Sequence, residues 1–354
     1  MAASRPITIV GGGLAGLTLG IGLRQCETPV TIWEAGQYPR HRVCGEFISG
    51  DGTSVLQRLG LMPLLEKAGA ICVKNAAFIS GRHSSPVRPL PTPAMGLSRY
   101  LLDASLAKEF QRLGGQLEHA RWNPPHDREE AASHKAQGEG IVRASGRRAQ
   151  PTENGWRWFG LKAHATNVNL SADLEMHVSA GNYVGVNRID GGQVNVCGLF
   201  RGRPGEVLAS GFDLLRGKPG SPLHERLASA RFDEKSFCSV AGLCLQPQRA
   251  VGKAECCIGD ALTMIPPATG NGMSMAFESA ELAIEPLMQY SRGVFHWTEA
   301  RDMIARACDV AFAQRLAWAR RLQSLMFSPV LRGPLGKPLL SSDRLWNFMF
   351  AKTR

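Results

Sequence analysis

The residues best suited to chemistry in this chain are glycines and the acids placed near them. Gly11-Gly12-Gly13-Leu14-Ala15-Gly16 is a GxGxxG run in register. Gly11 permits a tight turn, Gly13 lets the backbone approach a pyrophosphate, and Gly16 lets a following helix pack close to the preceding strand. Glu34, about twenty residues on, can accept hydrogen bonds from ribose hydroxyls and disfavours a 2′-phosphate. Far downstream, Gly259-Asp260 ends a short apolar run and precedes Pro266-Pro267-Ala268-Thr269-Gly270-Asn271-Gly272-Met273. An Asp there can hold a polyol hydroxyl, and the glycines free backbone N–H groups to approach a flat ring and its oxygens.

These residues need elements to hold them. Ile7-Thr8-Ile9-Val10 is a β-branched run of the kind that forms a buried parallel strand. Leu17, Leu19, Ile21 and Leu23 suit a buried helix whose N-terminus would face the phosphates. Val30-Thr31-Ile32-Trp33 is a second strand, closed by Glu34. Strand, motif, helix, strand and acid in this order predict a dinucleotide site for FAD or NAD, against a glycine turn used for packing alone. Ser274 to Leu287 reads as a helix after the second glycine loop. Leu174 to Val178, Tyr183 to Val186 and Val194 to Cys197 read as strands, the last two joined through Asp190-Gly191-Gly192 in a hairpin.

The whole chain sets limits. Its 354 residues, 44% hydrophobic and 20% charged, describe a globular protein. Lys and Arg number 41 against 30 Asp and Glu, a net charge of +11, but the positive charges are dispersed, which disfavours nucleic acid. An anionic cofactor, an acidic substrate or a lipid surface suits that charge equally. The nine cysteines form no CxxC pair and no zinc spacing, so free thiols in the cytoplasm and no metal are expected. No leader-like or membrane-spanning apolar run is read. The apolar tail Leu345 to Phe350 is expected to pack on its own domain, with peripheral membrane contact as the other reading. The polar stretch 123–140 reads as an exposed loop.

Taken together, the two glycine motifs resemble those of the glutathione-reductase-type FAD enzymes, and within them the p-hydroxybenzoate hydroxylase superfamily. The chain is most similar to the geranylgeranyl reductase-like branch, over roughly residues 5–290. That resemblance implies an α/β fold: a Rossmann-type, glutathione-reductase-like FAD domain, a mainly antiparallel β-sheet substrate domain and a helical C-terminus. It implies a discontinuous FAD domain (1–73, 97–150 and 240–290), a substrate domain (74–96 and 151–239) and a C-terminal segment, 291–354. Arg42-Val43-Cys44-Gly45-Glu46-Phe47 matches the family segment that approaches the flavin, and Leu97-Ser98-Arg99 matches its FAD-contacting arginine. The implied FAD residues are Gly11, Gly13, Leu14, Ala15, Gly16, Glu34, Arg42, Arg99, Gly259, Asp260, Pro267, Gly270, Asn271, Gly272 and Met273. NAD(P)H is the implied electron donor. Ser145, however, stands where the family carries an Asp that helps to bind FAD and NADPH.

Candidates for chemistry follow from that frame. Cys44 is either a redox or gating thiol or a small packed side chain. Glu46 is either a proton donor or a buried hydrogen-bonded carboxylate. Lys162 and His164 alternate with Ala163 and so share one face, directed either to solvent or to the site. Trp156 and Trp158 resemble part of a halogenase signature, but Phe159-Gly160 replaces the Ile-Pro that should follow, which disfavours halogenation. The expected function is an FAD-dependent oxidoreductase: a monooxygenase, hydroxylase or oxidase acting on a hydrophobic aromatic or polyketide-like molecule of secondary metabolism. The alternatives are a geranylgeranyl reductase-like enzyme reducing C=C bonds of an olefinic substrate, and a non-catalytic, membrane-associated flavoprotein.

Overall fold

The computed structural model describes residues 4–123, 138–147, 149–150, 152–153, 155–206 and 210–353, so most of the polar stretch 123–140 lies outside the described residues. In chain order the elements begin with β1 (Ile7–Val10), α1 (Leu14–Gln25), β2 (Val30–Trp33), β3 (Phe47–Ile48), α2 (Asp51–Arg58) and α3 (Met62–Lys67). Next come β4 (Ile71–Ser80), β5 (His83–Ser84), β6 (Arg88–Gly96), α4 (Arg99–Arg112), β7 (Gln116–Glu118) and β8 (Ile141–Arg143). Then follow β9 (Arg157–Thr166), β10 (Leu174–Ser179), β11 (Asn182–Arg188), β12 (Val194–Gly202), α5 (Gly211–Arg216), α6 (Pro222–Arg226) and β13 (Arg231–Ala241). The last are β14 (Cys256–Cys257), α7 (Gly272–Ser291), α8 (Trp297–Phe327), α9 (Gly336–Ser341) and α10 (Asp343–Thr353).

Five strands form a parallel sheet in the order β14-β8-β1-β2-β7. Ile7 and Ile9 of β1 are fully buried, as are Leu17, Leu19, Ile21 and Leu23 of α1. The helix is apolar on every side because it lies between the sheet, α4 and α7. Gly16 makes this possible, since a Cβ there would overlap the Gly11 carbonyl.

A nine-stranded sheet runs β13-β9-β12-β11-β10-β4-β6-β3, with β5 paired to β4. It is mainly antiparallel, as expected, but β10 and β4 pair in parallel. Its register lays Cys238, Lys162, Cys197, Gly185, Met176 and Phe78 side by side across six strands. A second row carries Val240, Gly160, Leu199, Tyr183 and Val178 on the same face. The opposite face, with Leu161, Ala163, Val184 and Val196, is covered by Leu215 of α5 and Leu223 of α6. Both faces of β9 are therefore buried, and the solvent reading of Lys162 and His164 is corrected: they are 0% and 2% exposed.

Helix α8 starts in the core of the parallel sheet, at Trp297, and ends against the large sheet, at Met326 and Phe327. The tail packs on its own chain. Trp346 and Phe350 of α10 lie against Phe47, Val73 and Leu90. No helix among the described residues is long and apolar enough to cross a membrane.

Candidate active site

A cavity of about 970 Å³ lies between the two sheets, and its two ends differ in chemistry. At one end Gly11, Gly13, Leu14 and Ala15, the entry to α1, form the wall. Gly11 has φ +110°, and a Cβ there would overlap the Ala144 carbonyl. Gly13 is extended, with no heavy atom within 4 Å of where a Cβ would stand. The first turn of α1 thus presents its N–H groups and positive dipole end to open space.

Glu34 lies beside this turn. Its carboxylate accepts from Gly12 N at 2.9 Å and Gly36 N at 2.8 Å and pairs with Arg40 Nη2 at 2.6 Å. Burial pushes its pKa up, but the Gly36 N–H and the charges of Arg40 and Arg42 outweigh that and hold it below the ordinary carboxylate value. Asp103, fully buried, binds Arg99 through two bonds of 2.7 and 2.8 Å and touches Arg42 at 3.3 Å. Both arginines line the cavity. Asp260 is exposed within the cavity; burial raises its pKa, opposed by Arg147 and Arg99. Pro267, Gly270, Gly272 and Met273 continue the wall beyond it. The positive φ of Gly259 (+58°) and Gly270 (+67°) makes this loop possible. An open helix N-terminus, a paired acid beside it and an Asp facing the cavity fit FAD.

Asn271, Gly16 and Gly259 do not line the cavity, nor do Lys162 and His164. Asn271 is 1% exposed and donates from Nδ2 to the carbonyl of Thr353 in α10. Ser145 does line the cavity, beside Gly11.

Between the two ends stands a buried cluster. Glu46, 0% exposed and at φ +52°, accepts from His164 Nε2 at 2.6 Å, Lys162 Nζ at 3.2 Å and Arg99 N at 2.9 Å. Burial raises its pKa, but these bonds and the Lys162 charge hold it below the ordinary value, so at neutral pH it is a carboxylate. Its loop is strapped to the large sheet by Asn187, which donates to Glu46 O at 3.4 Å, and by Asn195, which donates to Cys44 O at 3.0 Å. Cys44 faces the cavity, and burial pushes its thiol up, so it is neutral at physiological pH. Lys162 Nζ also donates to His41 Nδ1 at 3.2 Å, and His41 stacks on Tyr100.

The family resemblance had pointed to Glu46 and strand alternation to Lys162 and His164, but neither pointed to His41, Asn187 or Asn195. Asn187 and Asn195 are directly opposed on β11 and β12, a polar pair on an otherwise apolar alternation, and that was the legible signal.

Burial, then the charges of Lys162 and His164, lower the His41 pKa from 6.5 to about 4. Protonation therefore favours the unfolded chain, and stability present above 6.5 is lost as pH falls towards about 4. Replacing His41 with Asn should flatten this part of the acid limb when urea midpoints are followed against pH.

The far end of the cavity is apolar, with Leu199, Val240, Leu243, Met326 and Leu331 in one cluster. Helix α10 closes it. Trp346 meets Phe78 edge-on at 5.6 Å and lies under the Arg88 guanidinium, which pairs with Asp343 at 2.7 Å. Trp346→Ala removes aromatic contacts worth about 1–1.5 kcal/mol. By hydrogen exchange, amides of α10 should open roughly tenfold faster while those of α8 are unchanged.

This fold is that of flavin-dependent oxygenases and halogenases. The flavin-dependent brominase Bmp2 superposes with a TM-score of 0.75 at 17% identity, covering 99% of this chain and 95% of that one. A flavoprotein/dehydrogenase from Cytophaga hutchinsonii gives 0.70 at 16%, covering 99% and 96%. PqsL of P. aeruginosa, in complex with 2-aminobenzoylacetate, gives 0.68 at 15%, covering 93% and 100%. No family model and no curated protein matches the sequence.

Proposed function

We propose that the chain is a cytoplasmic FAD-dependent oxidoreductase that oxygenates a hydrophobic aromatic small molecule. The observation that carries this reading is the two-ended cavity: a phosphate-accepting helix N-terminus at one end, an apolar chamber at the other, and the 259–273 loop between them. FAD, when bound, supplies the electron chemistry and activates oxygen. The remaining work belongs to the chain. The α1 entry, Glu34 and Asp260 hold the dinucleotide. The large sheet and the end of α8 form an apolar chamber that keeps water from the substrate. Glu46 fixes the 42–46 loop and holds Lys162 Nζ at Oε1, while His41 connects that pair to the half-buried rim. None of the nine cysteines is in a disulfide, which supports a reducing compartment.

The test is to supply the FAD-loaded, reduced protein with isotopically labelled O2 and aromatic candidates, then analyse the products by mass. A product carrying labelled oxygen supports the reading. A product of an olefinic candidate that gains two hydrogens and no label would instead make the protein a C=C reductase.

A further inference from the structure

The basic residues form no run, but the C-terminal segment gathers them. Residues 310–354 carry eight Lys and Arg against one acid, Asp343, so this short segment holds seven of the eleven net positive charges. Asp343 is itself paired with Arg88. Arg315 is buried against Glu278, but Arg320, Arg321, Lys337 and Arg344 are exposed.

Helix α10 has two unlike faces. Leu345, Trp346, Met349 and Phe350 line the apolar end of the cavity. Arg344, Phe348 and Lys352 recur every four residues and share the outer face. Phe348 is 44% exposed. Among the described residues neither Arg344 nor Lys352 pairs with a carboxylate. Phe348 meets Trp318 of α8 edge-on at 5.1 Å, and the Arg321 guanidinium lies over the Trp318 ring at 4.7 Å. A single exposed Phe needs no explanation. One set a helical turn from a cation on each side, next to a half-buried Trp, has the make-up of a helix lying in a membrane interface. There the rings sink below the headgroups while Lys and Arg stems follow and their charges reach the phosphates.

Other occupants fit this face less well. A second copy would bring like charges together. A nucleic-acid base needs an open ring to stack on, and Arg321 already covers Trp318. An acidic protein would meet the charges, but an anionic bilayer meets both the charges and the outward Phe348. We propose that the outer face of α10, with Trp318 and Arg321 of α8, docks on an anionic lipid bilayer, leaving α10 as the layer between lipid and chamber. The docking surface is independent of the oxygenase reading; only its use, delivering an apolar substrate to the chamber, rests on that reading.

The test is co-sedimentation of the FAD-loaded protein with sucrose-filled vesicles, either of phosphatidylcholine alone or of equal parts phosphatidylcholine and phosphatidylserine. The wild-type protein should bind the anionic vesicles at least about tenfold more tightly. Arg344→Gln with Lys352→Gln should lower that affinity about twentyfold, roughly fivefold for each charge. Phe348→Ser should lower it about tenfold. Lys67→Gln with Lys108→Gln removes equally exposed charges from α3 and α4 and should leave vesicle binding at the wild-type level. No preference for anionic vesicles overturns the proposal, as does an equal loss in the Lys67 and Lys108 variant, which would reduce the effect to overall charge. An affinity for a duplex oligonucleotide that depends on α10 and exceeds that for vesicles also overturns it. Vesicle binding is read without turnover, so the two readings fail separately. A product without labelled oxygen leaves the docking surface standing, and a protein that stays off the vesicles leaves the oxygenase reading standing.

Discussion

Gly13→Asp is expected to abolish FAD binding while leaving the fold intact. Gly13 is the N-cap of α1, with φ −83° and ψ −171°, and no atom lies within 4 Å of a Cβ placed there. Aspartate is among the best N-cap residues, so the helix should be at least as stable as before. Its carboxylate would stand at the positive end of α1, where the fold leaves room for the pyrophosphate. Repulsion between like charges at about 4 Å amounts to roughly 1–4 kcal/mol depending on solvent access. With two phosphate charges opposed, affinity should fall at least about a hundredfold. Flavin fluorescence titration reads the affinity and circular dichroism the fold. Gly13→Ala, which enters open space without charge, should bind far better than Gly13→Asp. Equal binding by the two would contradict the placement.

Glu46→Gln is expected to be strongly destabilising for so conservative a change. Gln preserves the shape but removes the carboxylate paired with Lys162, which is 0% exposed. Stripping one partner from a buried ion pair costs about 3–5 kcal/mol, whereas replacing both partners with apolar groups is often neutral. Urea unfolding should show that loss for Glu46→Gln and recovery of most of it in Glu46→Gln with Lys162→Met. A single-variant loss below about 0.5 kcal/mol would mean that the pair is not coupled. The acid side follows the same logic. Because folding lowers the Glu46 pKa, its contribution is present at neutral pH and is lost as pH falls below the ordinary carboxylate value of 4.5. Glu46→Gln should lack that part of the acid limb.

What was legible in the sequence was local. The βαβ unit and the 259–273 loop announced themselves because each completes its geometry within a few dozen residues, through glycines at fixed offsets and apolar runs of the right period. The strands of the large sheet were legible by alternation, but their orientation was not. Alternation assigns Lys162 and His164 to one face without saying what covers it, and here α5 and α6 cover one face while His41 and Glu46 cover the two side chains on the other. The partner of Lys162 and His164, Glu46, lies more than a hundred residues away in sequence, and no spacing rule connects them. The same limit hid where α10 docks. Its anchor points, Asn271 and Arg88, are 82 and 255 residues from Thr353 and Asp343.

The central claim, that FAD spans this cavity from α1 to the apolar chamber, is tested most directly by an experimental structure of the protein saturated with FAD. The prediction is a pyrophosphate against Gly11, Gly13 and Ala15, a ribose at Glu34, a ribityl chain at Asp260 and the flavin ring beside residues 267–272. A saturated protein with FAD elsewhere, or a protein that takes up no FAD at all, would contradict it.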